Sequence, residues 1–205
     1  MSDPIDAFRT FCGEEDQWKP SKEADGVKVF SRTVEGSSLN VARGIVTVKA
    51  TVDQCFEYAM DASVRTSWDK MMKEARIVRT TDDGHTIAYM QSIPKWPASA
   101  RDFVIDLYHK RFDDGTIVVL GKTPEAEEVP PVNGVVRGKA INSGYMFAPN
   151  ADGTTTVTYI MQRLLSSYHH SFFFVVVVHF LSCLLFIYSG YGWLARYFYR
   201  QQGDD

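Results

Sequence analysis

Alternation of apolar and polar residues dominates the chain. Residues 27–32 and 41–48 alternate with a period of two, the latter placing Val46 and Val48 on one face and Arg43, Ile45 and Thr47 on the other. Strands are also predicted over 75–80, 85–93, 96–112, 116–123, 135–141 and 154–162, with a short extended piece at 145–147. Thr81-Asp82-Asp83-Gly84 and Asp113-Asp114-Gly115 are hairpin turns, and Asn142-Ser143-Gly144 reads as a turn or bulge. Helical spacing occurs twice. Asp3-Pro4 opens a short amphipathic helix that carries Ile5, Phe8, Phe11 and Cys12 and runs to about Trp18. Thr51 to Gln54 form a capping box, followed by Val52, Cys55, Phe56, Ala59 and Met60 on one helix face.

A helix, two strands, a helix and at least six further strands joined mostly by hairpins make an α+β domain with one long, curved antiparallel sheet. Its inner face has to be covered by helices. The segment 124–134 is acidic and holds three prolines, so it is expected to be a surface loop.

One strand carries a residue out of pattern. In 96–112, Phe103, Ile105 and Leu107 share a face, and continuing the alternation backwards places Arg101 among them. A buried guanidinium without a partner costs several kcal/mol. Arg101 therefore either turns to solvent at the strand's end or meets something polar inside.

The pattern fails altogether at 171–194, where no residue is charged and the run begins Phe172-Phe173-Phe174-Val175. Three readings meet here. A transmembrane helix would exceed the roughly 20 residues a bilayer needs, and so near the chain's end it would be a tail anchor. The second reading is an apolar replacement for a covering helix. The third is a misannotated insertion of the kind a retained intron leaves. The organisation expected is a domain over 3–162, a linker over 163–170, the apolar segment over 171–194 and a short polar tail over 195–205.

Composition narrows the function. At 205 residues there is room for one domain and an appendage, and the net charge of −3 gives no bulk attraction for nucleic acid. Cys12, Cys55 and Cys183 are an odd number and widely spaced, without metal-site or disulfide spacing, which suits a reducing compartment. The N-terminus lacks the apolar run of a signal peptide. The histidines at 85, 109, 169, 170 and 179 fit no Ser-His-Asp order or zinc spacing, and no phosphate loop appears. No cofactor, metal or catalytic group is expected.

Five short pieces, in order, resemble the steroidogenic-acute-regulatory-related lipid-transfer (START) family. They are Trp68-Asp69; Arg101-Asp102-Phe103-Val104; the stretch from Pro131 through Gly134 and Arg137 to Gly138; Gly144-Tyr145-Met146-Phe147-Ala148-Pro149; and Thr156 through Tyr159 to Gln162. The resemblance covers 3–162. It breaks where the family's lid helix should open: Gly192-Trp193-Leu194-Ala195 is similar to the opening motif but displaced, with Ala where Pro is usual.

The resemblance implies a helix-grip fold that binds one sterol, phospholipid or sphingolipid in an apolar cavity and meets membranes, and it implies no enzyme. It turns Arg101 into the cavity, to face a lipid phosphate, a water or a buried carboxylate. Gln91 and Tyr89 share a strand face, and Gln91 either bonds a head group or faces outward. Tyr145 either lines the cavity or packs. Arg137 is expected to pair with the acidic loop. The alternative is an enzyme or receptor for a hydrophobic small molecule on the same scaffold. The expected location is the cytoplasm, tail-anchored to an intracellular membrane if the run at 171–194 is an anchor.

Overall fold

The structure, a computed structural model, describes residues 3–24, 26–34, 40–69, 71–94 and 99–164. The expected linker from 165 on, the apolar segment and the polar tail lie outside the described residues. Among those described, no helix is long and apolar enough to cross a membrane.

Helix α1 (Pro4–Gly13) starts as predicted, with the Asp3 carboxylate accepting the Ile5 N–H at 2.8 Å. It ends sooner than its apolar spacing suggests. Glu14 leaves the helical region at ψ 75°, and a 3-10 turn (Glu15–Gln17) redirects the chain. Trp18 is thereby buried edge-on to Phe11, with ring centroids 5.4 Å apart. The capping box of α2 (Val52–Met60) is formed in full: Thr51 Oγ1 accepts from Gln54 N at 3.3 Å, and Gln54 Oε1 accepts from Thr51 N at 3.0 Å. A single turn, α3 (Arg65–Trp68), follows.

The strands are β1 (Lys19–Ala24), β2 (Val27–Thr33), β3 (Asn40–Val48), β4 (Met72–Thr80), β5 (Thr86–Ser92), β6 (Arg101–Arg111), β7 (Ile117–Lys122), β8 (Val136–Arg137), β9 (Lys139–Ala140), β10 (Ser143–Pro149), β11 (Thr155–Met161) and β12 (Arg163–Leu164). The main sheet runs β1-β2-β3-β11-β10-β7-β6-β5-β4 with antiparallel neighbours, and β8 adds one parallel pairing to β6. β9 and β12 pair separately, so the expected linker begins as a strand.

Besides the early end of α1 and the unpredicted strand β1, two segments differ from expectation. The predicted strand at 135–141 is broken at Gly138, because a Cβ there would lie 2.2 Å from the Phe103 ring. The predicted turn at 142–144 instead opens β10: Gly144 packs so tightly on β7 that a Cβ would meet the Val119 carbonyl oxygen at 1.9 Å.

The tight turns after β4, β6 and β10 gather at one end of the sheet, each with a glycine at positive φ: Gly84 at 86°, Gly115 at 81° and Gly153 at 81°. The opposite end carries the longer connections, from β5 to β6 and from β7 to β10.

The inner face carries Val46, Val48, Ile117, Val119, Tyr145, Phe147, Val157 and Tyr159, packed with Cys55, Tyr58 and Ala59 of α2 and with Trp68. Phe103, Ile105 and Leu107 of β6 extend this apolar surface. α1 covers part of the outer face through Phe8 and Cys12, against Val41, Val118, Leu120 and Ile160. Arg43 is fully buried there. Its guanidinium lies between the Trp18 and Phe30 rings, at 4.8 and 4.5 Å, and bonds both carboxylate oxygens of Glu15 at 2.9 Å. A charge paired and stacked in this way is tolerated in a core, and it ties the turn after α1 to the sheet.

Candidate functional site

Residue parity along β6 decides the site. Odd positions from Arg101 to Leu107 face inward and even positions face outward, because successive strand side chains alternate. Arg101 is 6 % exposed, so the inward alternative holds for it. Its backbone is held by one side chain: Ser92 Oγ accepts the Arg101 N–H at 3.1 Å and donates to the Arg101 carbonyl at 3.2 Å. Its Nη1 donates to the Ser99 carbonyl at 3.0 Å.

Tyr145 shares the inner face. Its ring stacks on Phe147 and Tyr159, with centroids 5.5 and 4.9 Å away. Its hydroxyl meets a second buried guanidinium that motif reading passed over, Arg65, at 3.5 Å. Arg65 also lies 3.4 Å from the Asp69 carboxylate and 4.4 Å over the Trp68 ring. α2 and Trp68 of α3 pack in one cluster with Tyr145, Phe147 and Tyr159 of the inner face, and this packing brings Arg65 to the Tyr145 hydroxyl. Burial disfavours the charge on Arg65, but the neighbouring Tyr145 and Asp69 outweigh this and raise its pKa above the ordinary arginine value. The only sequence signal for Arg65 was its spacing of four from Asp69, which more often marks a solvated helix pair.

Tyr89 and Gln91 are not brought to this site. In register they stand opposite Val104 and Asp102, which puts them on the outer face. There Asp102, fully buried, accepts hydrogen bonds from Arg137 Nε at 2.8 Å, Arg137 Nη2 at 3.0 Å and Tyr89 OH at 3.2 Å. Tyr89 OH also lies 3.4 Å from Gln91 Oε1. Burial first, and then Asp102, pushes the Tyr89 phenol up, while its bond to Asp102 raises Arg137. Arg137 therefore pairs with Asp102 rather than with the acidic loop. It meets that loop through the carbonyls of Val129 at 3.0 Å and Pro130 at 3.2 Å.

His109, also in inward register, is exposed and packs its ring 5.1 Å from Phe56. An open depression of about 780 Å³ beside α1 has Arg9 and Lys110 on its wall, but these pair with Asp114 and with Asp3 and Asp6.

Pockets for apolar ligands are lined by apolar side chains with a few polar groups among them, and the inner face has that composition. The family model described as START domain matches residues 6–179. The chain belongs to the START-domain family. This START domain is 27 % identical over 144 residues to an uncharacterised protein of Pseudomonas aeruginosa, 70 % of each chain. It is 30 % identical over 125 residues to human StAR-related lipid transfer protein 5, spanning 59 % of that protein's length and 59 % of its own. Among solved structures, that human protein superposes with a TM-score of 0.82 at 24 % identity, covering 90 % of this chain and 92 % of the other. A STAR-related lipid transfer protein fragment from Xanthomonas axonopodis superposes at 0.73 with 29 % identity, covering 85 % and 100 %.

Proposed function

We propose that this START domain is a carrier that holds one lipid against the inner face of its sheet and moves it between membranes, with the head group met by Arg65 and Arg101. The carrying observation is the pair of buried guanidinium groups, Arg101 on the largely apolar inner face and Arg65 on the helix packed against it. Apolar side chains take the acyl or ring portion, and guanidinium groups favour acidic or phosphorylated head groups, which they bond with charge assistance. Names of the relatives that include lipid transfer support the same reading. The reading is of a binding protein, not an enzyme, working at intracellular membranes. Membrane contact is assigned to the run at 171–194, outside the described residues.

Two experiments test this. The purified chain is incubated with vesicles containing phospholipid, sphingolipid and sterol, re-isolated and weighed by native mass spectrometry. One lipid per protein, and transfer from donor to acceptor vesicles, is the expected result; an empty protein that transfers nothing refutes the carrier. Alkaline extraction of membranes from cells making the full chain tests the anchor, and release into the supernatant refutes it.

A further inference from the structure

We propose that Arg137 is a positioning residue for Arg101: its ion pair with Asp102, on the outer face of the sheet, holds the segment of β6 from which Arg101 faces inward, and so sets the preference for anionic head groups. This rests on the reading of Arg101 as a head-group contact.

Arg101 and Asp102 are adjacent in one strand and point to opposite faces. A rotation of the strand that releases Asp102 from Arg137 therefore swings Arg101 as well. This segment lies where the ordinary ladder runs out. The β5–β6 register ends at Gln91 with Asp102, and beyond it the Ser92 hydroxyl substitutes for a backbone partner of Arg101. On the other side the partner is β8, a strand of two residues. Val136 N donates to the Ala100 carbonyl at 3.0 Å, and Gly138 N to the Asp102 carbonyl at 2.8 Å.

So short a strand has little hold of its own. It is fixed by the Arg137 fork on the Asp102 carboxylate and by the two loop carbonyls that Arg137 also bonds. Loss of Arg137 strands a fully buried carboxylate and frees β8, and with it the partners of the carbonyls on either side of Arg101. A binding side chain is only as well placed as the shell that supports it.

The test is a double-mutant cycle on the full-length chain. Wild type, Arg137→Met, Arg101→Leu and the double variant are each incubated with phosphatidylcholine vesicles, and with the same vesicles doped with phosphatidic acid. Captured lipid is quantified by native mass spectrometry. Arg137→Lys, which keeps the charge but not the fork, runs in parallel and carries the test if Arg137→Met does not fold. Arg137→Met is expected to lower the preference for phosphatidic acid roughly three- to tenfold in the wild-type background and to change it by less than about twofold in the Arg101→Leu background. Equal effects in both backgrounds, or an unchanged preference in both Arg137 variants, overturn the proposal. If Arg101→Leu by itself leaves the preference intact, the head-group reading of Arg101 fails, and the two failures are told apart.

Discussion

Replacing Arg65 with leucine separates what this residue does for the fold from what it does for a ligand. The cation–π contact with Trp68 at 4.4 Å is lost, about 1–2 kcal/mol for a desolvated pair. Asp69 is left buried without its counter-charge, a further 1–3 kcal/mol, roughly. The low end applies, because the pair is long at 3.4 Å and Asp69 keeps the bond from Met71 N at 3.1 Å. Leucine returns about 1 kcal/mol or slightly more by burying apolar surface. The net loss is about 1.5 kcal/mol, which for a chain of this size lowers Tm by roughly 3–6 °C. Adding Asp69→Asn to Arg65→Leu should recover about 1 kcal/mol, because the stranded charge is gone. Urea denaturation of the four proteins in the cycle measures this. In the vesicle assay, Arg65→Leu should reduce capture of phosphatidic acid about tenfold relative to phosphatidylcholine, the value of one charge-assisted bond. A protein destabilised as expected but with its head-group preference intact would show Arg65 to be a structural strut only. A further loss on adding Asp69→Asn would refute the stranded-charge account.

Gly144→Ala should lower Tm by more than about 8 °C in a thermal melt. The new Cβ meets backbone, the Val119 carbonyl oxygen at 1.9 Å, and no rotamer change relieves it; a shift within about 3 °C would contradict the packing of β10 on β7. Thr51→Ala removes half of the capping box and should cost about 1 kcal/mol in urea denaturation, with Thr51→Ser nearly neutral. Stability should also fall at alkaline pH. Burial, opposed by Arg43, raises the Cys12 thiol from 9.0 to about 12, and the hydrogen bond to Asp106, then burial, raises the Tyr108 phenol from 10.0 to about 12. The folded state therefore binds more protons than the unfolded chain above the unfolded values, and stability is lost progressively as pH rises through that window. Urea midpoints measured from about pH 8 to about pH 11 should fall, and Cys12→Ala should flatten the slope.

The hairpins were legible because an Asp-Gly turn needs a residue at positive φ, which Gly84 and Gly115 supply. α2 was legible because its cap and its apolar stripe agree. β1 was not, since Lys19-Pro20-Ser21-Lys22-Glu23-Ala24 is an edge strand with no buried residue and thus no alternation to detect. The break at Gly138 depends on the Phe103 ring, thirty-five positions away, and local pattern carries no trace of it. Within the site, the alternation in β6 placed Arg101 among apolar residues, but only register shows that Tyr89 and Gln91 stand with Asp102 behind it. Arg65 comes near Tyr145 only through the packing of α2 and α3 on the inner face, which local spacing does not show.

The unequal ends of the sheet bear on how the molecule can be handled. At the end with the turns after β4, β6 and β10, connections are short and pinned by glycines in a conformation other residues resist, so changes of length there disturb register directly. At the end where β6 begins, length can vary at little entropic cost. A dye or surface tether attached through a substituted Asp83 or Asp152, both exposed, would hold the protein by its stiff end. The Arg101 end would then face an offered membrane in a known orientation, which turns the asymmetry of the sheet into a handle for single-molecule measurement.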